Sequence, residues 1–185
     1  MLKYLSVAAL TLVAGQAFAE AHAVANPEVG GAAMFADMTI VENAMNSADH
    51  TTLVAAVVAA GLAETLSGEG PFTVFAPTNA AFAALPAGTV ENLLMPENLE
   101  TLQTILTCHV VATEAFSADI LGMIEADGGM HPVETIGGCT LMAQVMDGMV
   151  TLTDENGTVA AVTIADVDQS NGVIHVIDAV LMPAM

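Results

Sequence analysis

Apolar residues recur at helical spacing in the first half of the chain. The apolar positions between residues 53 and 62 lie three or four residues apart, which predicts one buried helix face, with Thr51 or Thr52 as the cap. Three more helices are predicted: around Phe82 and Leu85, from Leu93 to Met95, and from Leu99 to Leu106.

The second half is rich in Val, Ile and Thr in short runs. The runs cover residues 110–111, 132–136, 140–145, 149–153, 159–164 and 173–181, and one earlier run covers 73–76. Gly-Gly, Asp-Gly and Asn-Gly turns separate the later runs, as expected for hairpins. Helices followed by a meander of strands predict an α+β fold with an antiparallel sheet that buries one face.

The N-terminal residues have the pattern of an export signal. Lys3 precedes an uncharged apolar run from Leu5 to Gly15, and the small residues Ala17 and Ala19 flank Phe18. This pattern predicts a signal peptide over 1–19, cleaved after Ala19, and a secreted or periplasmic product. The run is too short for a comfortable membrane span. Pro27, Gly30 and Gly31 predict a flexible arm over 20–33, followed by one domain over 34–185.

Charge excludes several kinds of partner. The chain has 21 Asp+Glu against one Lys+Arg, for a formal net charge of -20, and no Trp. Its basic residue is Lys3, inside the predicted leader. Nucleic acids and anionic membrane surfaces are excluded, because both are bound largely through Lys and Arg. A cationic partner, or one bridged by divalent cations, is favoured. Like-charge repulsion predicts a monomer or a weak oligomer.

Two cysteines, Cys108 and Cys139, remain in a chain predicted to reach an oxidising compartment. Both lie at the ends of predicted strands, so they could be neighbours in a sheet, and a disulfide is the leading interpretation. Two buried free thiols are the alternative. A catalytic thiol has little support, because the chain predicted to remain after cleavage has no Lys or Arg to lower its pKa.

The histidines and methionines leave the site chemistry open. The five histidines (His22, His50, His109, His131 and His175) lack zinc-motif spacing, and no Ser occupies a nucleophile elbow. No catalytic residue, metal or cofactor is therefore predicted, and His109 and His175 are interpreted as structural. Met142, Met146 and Met149, with Met130 nearby, suit a soft cuprous site, a core or an adaptable contact surface.

Three segments together resemble a fasciclin domain. They are Thr73–Phe82, His109–Val111 and Asn171–Pro183, and their order and spacing extend the resemblance over residues 34 to 183. The resemblance implies a β-wedge or sandwich flanked by helices, a role in adhesion and no catalysis. It marks the following residues as structural motif positions: Thr78, Asn79, His109, His175 and Asp178. Cys108 stands where relatives usually have Tyr, and several methionines stand where relatives often have Lys.

The resemblance also suggests a contact site. Animal relatives have an Asp-Ile pair before the last segment, and Asp166-Val167 occupies that place here, followed by Asp168. These three residues are the predicted partner-binding residues. The function expected is an exported, non-enzymatic protein that mediates cell adhesion or contact with a protein, cell surface or matrix. The alternative is a periplasmic binding module for a small apolar ligand or a soft metal ion.

Overall fold

A computed structural model describes residues 27–184 and confirms the α+β class. The helices are α1 Ile40–Asn46, α2 Thr51–Ala59, α3 Ala63–Leu66, α4 Asn79–Ala83, α5 Thr89–Leu93, α6 Leu99–Thr107 and α7 Ser117–Ala126, with 3-10 turns at Ala48–His50 and Pro96–Asn98. Helix α7 was not predicted, although Ile120 and Ile124, four residues apart, are its buried positions. Within 27–184 no helix is long and apolar enough to cross a bilayer.

One sheet organises the domain. The strands are β1 Glu28–Val29, β2 Ala32–Ala33, β3 Phe72–Pro77, β4 Val110–Val111, β5 Met130–Glu134, β6 Thr140–Met146, β7 Met149–Thr153, β8 Val159–Gln169 and β9 Gly172–Ile177. Seven of them form a sheet in the order β4-β3-β9-β8-β7-β6-β5. Its neighbouring strands are antiparallel as predicted, except that β3 and β9 run parallel. The chain between β3 and β9, which contains α4 to α7 and strands β4 to β8, is long enough to allow this parallel pairing.

The predicted flexible arm is wrong from Pro27 onward. Residues 27–33 form the β1–β2 hairpin, and the Met34 N–H donates to the Pro27 carbonyl at 2.9 Å. Val29 is 3% exposed and Met34 is 2% exposed, so burial of these apolar side chains holds the hairpin against the core. The predicted leader, residues 1–19, and the rest of the predicted arm, residues 20–26, lie outside the described residues.

Two hydrophobic clusters lie against the sheet. The first joins α1, α2 and α6 to β3 and β9, through residues such as Leu53, Ile105 and Val176. The second joins α7 to β6, β7 and β8, through residues such as Ile124 and Leu152. Strands β3, β8 and β9 each contribute residues to both clusters, so the two clusters share the centre of the sheet.

Asn171, in the β8–β9 turn, anchors the helical layer. Its Oδ1 accepts the Ile40 N–H at 3.0 Å, which fixes the start of α1. Its Nδ2 donates to the carbonyls of Leu66 and Gly68 at 2.8 and 3.0 Å, which fixes the end of α3. A buried amide with these partners satisfies helix-end groups that would otherwise lack them. Asn171 therefore sets where the helices sit relative to the sheet.

The Cys108–Cys139 disulfide is confirmed, but its predicted setting is not. Cys108 follows the last residue of α6 and Cys139 precedes β6, so the two are not neighbours in the sheet. Their Cα atoms lie 5.4 Å apart. Beside the bond, the Ile136 N–H donates to the Val110 carbonyl at 2.8 Å. The disulfide therefore holds the β5–β6 end of the sheet near β4, the strand at the opposite edge.

Removing this disulfide is expected to lower the free energy of unfolding by about 3–4 kcal/mol, because it closes a loop between residues 31 apart. Urea unfolding of the wild type with and without reductant measures the effect. The matched control is the Cys108→Ala/Cys139→Ala variant, in which reductant changes nothing. An equal midpoint for oxidised and reduced wild type would contradict the prediction.

Candidate functional site

Strand β8 is interrupted where the predicted contact residues lie. Its register with β9 shifts between Val162 and Ile164 and again between Ile164 and Val167. Asp166 lies in this second irregularity with φ of 58°, a left-handed conformation that Asp adopts more readily than most residues. The strand therefore bends at the predicted site and turns Asp166 toward the start of α7.

The Asp166 carboxylate is bound within the domain. Its Oδ1 accepts the Ser117 N–H at 2.6 Å, and its Oδ2 accepts the Ser117 hydroxyl. Ser117 is the first residue of α7, so a negative charge sits where the helix dipole favours one. The Asp166 N–H donates to Nδ1 of His175 at 3.3 Å. Asp166 is therefore a structural link between β8, α7 and β9.

The other two predicted contact residues are placed differently from each other. The Val167 side chain is 0% exposed and belongs to the first hydrophobic cluster, so it is not available to a partner in this structure. The Asp168 side chain is exposed, and none of the hydrogen bonds found among the described residues uses its carboxylate. Of the three, Asp168 offers the free charge at this surface.

His175 is a buried histidine with both ring nitrogens bonded. Its Nε2 donates to the Ala115 carbonyl at 2.8 Å, while its Nδ1 accepts the Asp166 N–H. The ring stacks on Phe75 with centroids 5.7 Å apart. Burial lowers the pKa of His175 below its usual 6.5, because the charged ring would lose its hydration. His175 is therefore neutral near pH 7 and links β9 to the segment before α7.

His109 makes the same kind of structural link after the end of α6. Its Nδ1 donates to the Ile105 carbonyl at 2.8 Å, and its Nε2 accepts the Leu181 N–H at 3.0 Å. Desolvation lowers the pKa of His109 from 6.5 to about 4. The ring therefore stays neutral while it ties the end of α6 to the C-terminal segment.

The remaining predicted motif residues also make local structural bonds. The Thr78 hydroxyl caps α4 by accepting the Ala81 N–H at 3.3 Å. Asn79 accepts the Thr52 N–H at 2.9 Å through Oδ1 and donates to the Ala48 carbonyl at 2.8 Å. Oδ1 of Asp178 accepts the Ala161 N–H at 2.7 Å. These bonds position turns and strand ends.

Asp154 is a buried carboxylate that the sequence did not single out. It is 5% exposed, and its oxygens accept the N–H groups of Asn156, Thr158 and Met182 at 2.9, 2.7 and 2.8 Å. It thereby joins the turn between β7 and β8 to the C-terminal segment. The Asp-x-Asn-Gly sequence of this turn was the available signal, since Asp commonly binds backbone N–H groups two residues ahead.

A cleft opens between the free edges of β4 and β5. Its volume is about 440 Å³, and its walls include Phe75, Val111, Ile120, Met123 and Val133, with His131 and Glu134 adding polar groups. Nδ1 of His131 lies 2.6 Å from Oδ2 of Asp127. Among residues 27–184, no three His, Cys, Asp or Glu side chains are grouped to hold a metal ion.

Most of the methionines noted in the sequence lie on one surface. Met130, Met146 and Met149 are 46%, 45% and 47% exposed, and Met142 is partly buried. All four belong to β5, β6 or β7. Their exposure favours the contact-surface interpretation over a core one.

Comparison with known families identifies the fold. The profile of the Fasciclin domain matches residues 48–183. The chain belongs to the fasciclin-domain family. The match includes all three segments whose residues suggested the resemblance, and it begins just before α2.

Relatives and a solved structure agree with this fasciclin assignment. Protein sll1483 of Synechocystis is 52% identical over 157 residues, which are 85% of this chain and 80% of that protein. Immunogenic protein MPB70 of Mycobacterium bovis is 34% identical over 170 residues, covering 88% and 78% of the two chains. The FAS1 domain pair of the insect cell adhesion molecule Fasciclin I shares the fold with a TM-score of 0.68 at 19% identity, over 78% of this chain and 51% of that one.

The buried histidines make the stability of this fasciclin domain depend on pH. Folding holds the pKa of His109 at about 4 against an ordinary 6.5, so below pH 6.5 the unfolded chain binds a proton that the folded chain does not. The free energy of unfolding therefore decreases as the pH falls from 6.5 toward 4. For this one histidine, the decrease between pH 7 and pH 5 is about 2 kcal/mol. Urea unfolding of wild type and His109→Asn measures it, with a shallower pH dependence expected for the variant.

A second measurement keeps this prediction testable if His109→Asn fails to fold. In the wild type, the His109 ring proton resonances are expected to keep their neutral positions at pH 5. A ring that titrates near pH 6.5 in the folded protein would contradict the prediction.

Proposed function

We propose that this protein is an exported fasciclin-domain protein that mediates adhesion or contact with a cell surface or matrix, without catalysing a reaction. The fasciclin-domain match over residues 48–183 carries the proposal. The site geometry supports it, because His109 and His175 use both ring nitrogens in internal hydrogen bonds. Neither histidine is free to exchange protons with a substrate.

Export has independent support from the cysteines. The Cys108–Cys139 bond is of a kind that persists in periplasmic and extracellular proteins and is rare in a reducing cytosol. Together with the leader pattern over residues 1–19, it favours a secreted or periplasmic location after cleavage near Ala19.

The contact residue proposed at the β8 surface is Asp168, with Asp166 and Val167 shaping the strand beneath it. Asp168 is exposed and follows the irregular part of β8. A carboxylate here favours a cationic group on the partner or a divalent cation between the two surfaces. Like charges on two copies of the chain oppose direct pairing.

The test is attachment of cells of the source organism to the immobilised mature protein. Asp168→Asn is expected to reduce attachment by about tenfold, the effect of losing a contact worth about 1.4 kcal/mol. The matched control is Asp37→Asn, another exposed carboxylate outside the strands, which should leave attachment unchanged. Each variant is measured with calcium and with a chelator.

Two outcomes separate the site from the function. Attachment of wild type no better than that of a blocked surface would make the adhesion proposal wrong. Full attachment by Asp168→Asn, with wild-type attachment intact, would remove only the β8 contact site.

The cleft between β4 and β5 favours a second function, binding of a small apolar ligand. A volume of about 440 Å³ with mostly apolar walls is within the range of ligand pockets, roughly 300–1,000 Å³. Native mass spectrometry of protein purified from its own source tests this. A stoichiometric added mass that is lost in a Met123→Trp variant would support the function, and bare protein in every preparation would contradict it.

A further inference from the structure

Strands β5 to β8 present mostly apolar side chains on one face, with Gln144, Thr151 and Thr153 among them. Their pairing aligns two rows: Pro132, Met142, Thr153 and Val159, then Met130, Gln144, Thr151 and Ala161. A third row pairs Met146 with Met149 across the β6–β7 hairpin. Residues paired or diagonal on one face of a sheet contact each other. We call the set Met130, Pro132, Met142, Met146, Met149 and Val159 the methionine face.

The two sides of these strands are covered differently. The residues that alternate with the methionine face, among them Leu141, Ala143 and Leu152, are buried in the cluster that α7 covers. On the methionine face, Met130, Met146, Met149 and Val159 are each 45–47% exposed. Nε2 of Gln144, at the centre, donates to the Met146 sulfur at 3.2 Å. An apolar sheet face of this kind is typical of an interaction surface.

Carboxylates border the methionine face at both ends. Asp147 is exposed at the tip of the hairpin, between Met146 and Met149. At the other end Glu134 pairs with Thr140, whose N–H is accepted by Glu155 at 3.1 Å. The described residues contain no Lys or Arg, so no basic side chain of this part of the chain can neutralise the border.

This combination selects the chemistry of the partner. An apolar centre with an acidic border complements a protein surface whose apolar centre is bordered by Lys and Arg. A second copy of this chain would bring acidic border against acidic border, which opposes pairing. Methionine side chains are flexible and polarisable, and they adapt to partners of different shape.

We propose that the methionine face is a docking surface for a cationic, amphipathic segment of a partner protein. The inference rests on the proposed contact function and assigns it a second surface, apart from Asp168.

Methionine methyl groups allow a direct test in the unmodified protein. The mature protein is labelled with [13C-methyl]methionine and titrated with a synthetic helical peptide of Leu and Lys, about 18 residues or five turns long. The methyl resonances of Met130, Met142, Met146 and Met149 are expected to shift. Met45 and Met95, which are 57% and 45% exposed elsewhere, are internal controls that should not.

Two double variants and an acidic peptide test whether binding depends on the methionine face and on the charge of the peptide. Met146→Gln/Met149→Gln should weaken peptide binding about tenfold, since two of the most exposed apolar contacts of the methionine face are lost, while Met45→Gln/Met95→Gln should change it less than about twofold. A Leu and Glu peptide of the same pattern should not bind. Attachment of cells, the test of the proposed function, is scored separately.

Several results would overturn the inference while leaving adhesion intact. They are shifts at Met45 and Met95 as large as those on the face, equal binding by both double variants, and absence of any shift with the Leu and Lys peptide. Larger shifts with phosphatidylcholine vesicles than with the peptide would replace the protein partner by a lipid surface. Concentration-dependent shifts without any probe would replace it by a second copy.

Discussion

The domain depends on strand β8 serving two hydrophobic cores. Ala160 and Val162 pack in the cluster under α7, while Val167 packs in the cluster with the helical layer. A regular strand presents alternate residues to two fixed faces and would place Ile164 on the same face as Val162. The register shifts on either side of Ile164 pair it with Val176 instead, so Ile164 and Val167 both pack against the first cluster. The bend requires Asp166 in a left-handed conformation, and Ser117 and His175 hold it there.

The described chain achieves this without cationic side chains. Three of its buried polar side chains are satisfied by backbone groups: Asp154 by three N–H groups, and His109 and His175 by carbonyls and N–H groups. Such bonds stabilise a buried carboxylate or a neutral imidazole without an Arg or Lys partner. The acidic residues on the surface therefore determine the charge of any surface that a partner contacts.

The residues that can contact a partner are those that are exposed and not used to hold the fold together. The motif histidines, Thr78, Asn79 and Asp178 are occupied in joining turns, strands and helix ends, so they explain why the fold forms. Asp168 and the methionine face are exposed, and they do not join turns, strands and helix ends as the motif residues do. In the function proposed above, the protein acts through its surface, and the acidic border and the methionine face select the partner.

The sequence alone determined the fold class and the family resemblance, favoured a Cys108–Cys139 disulfide over two free thiols, and predicted that anionic partners are disfavoured. Each of these depends on local sequence pattern, residue type or total charge, which can be read from the sequence without the tertiary structure. The tertiary structure decided that Val167 is buried against the helical layer and that Asp166, in the irregular part of β8, is hydrogen-bonded to Ser117 and His175. It also decided that residues 27–33 pack as a hairpin, and that methionines from three strands share one uncovered face. Register and the position of α7 decide which side of a sheet is covered, and both depend on contacts between residues far apart in sequence.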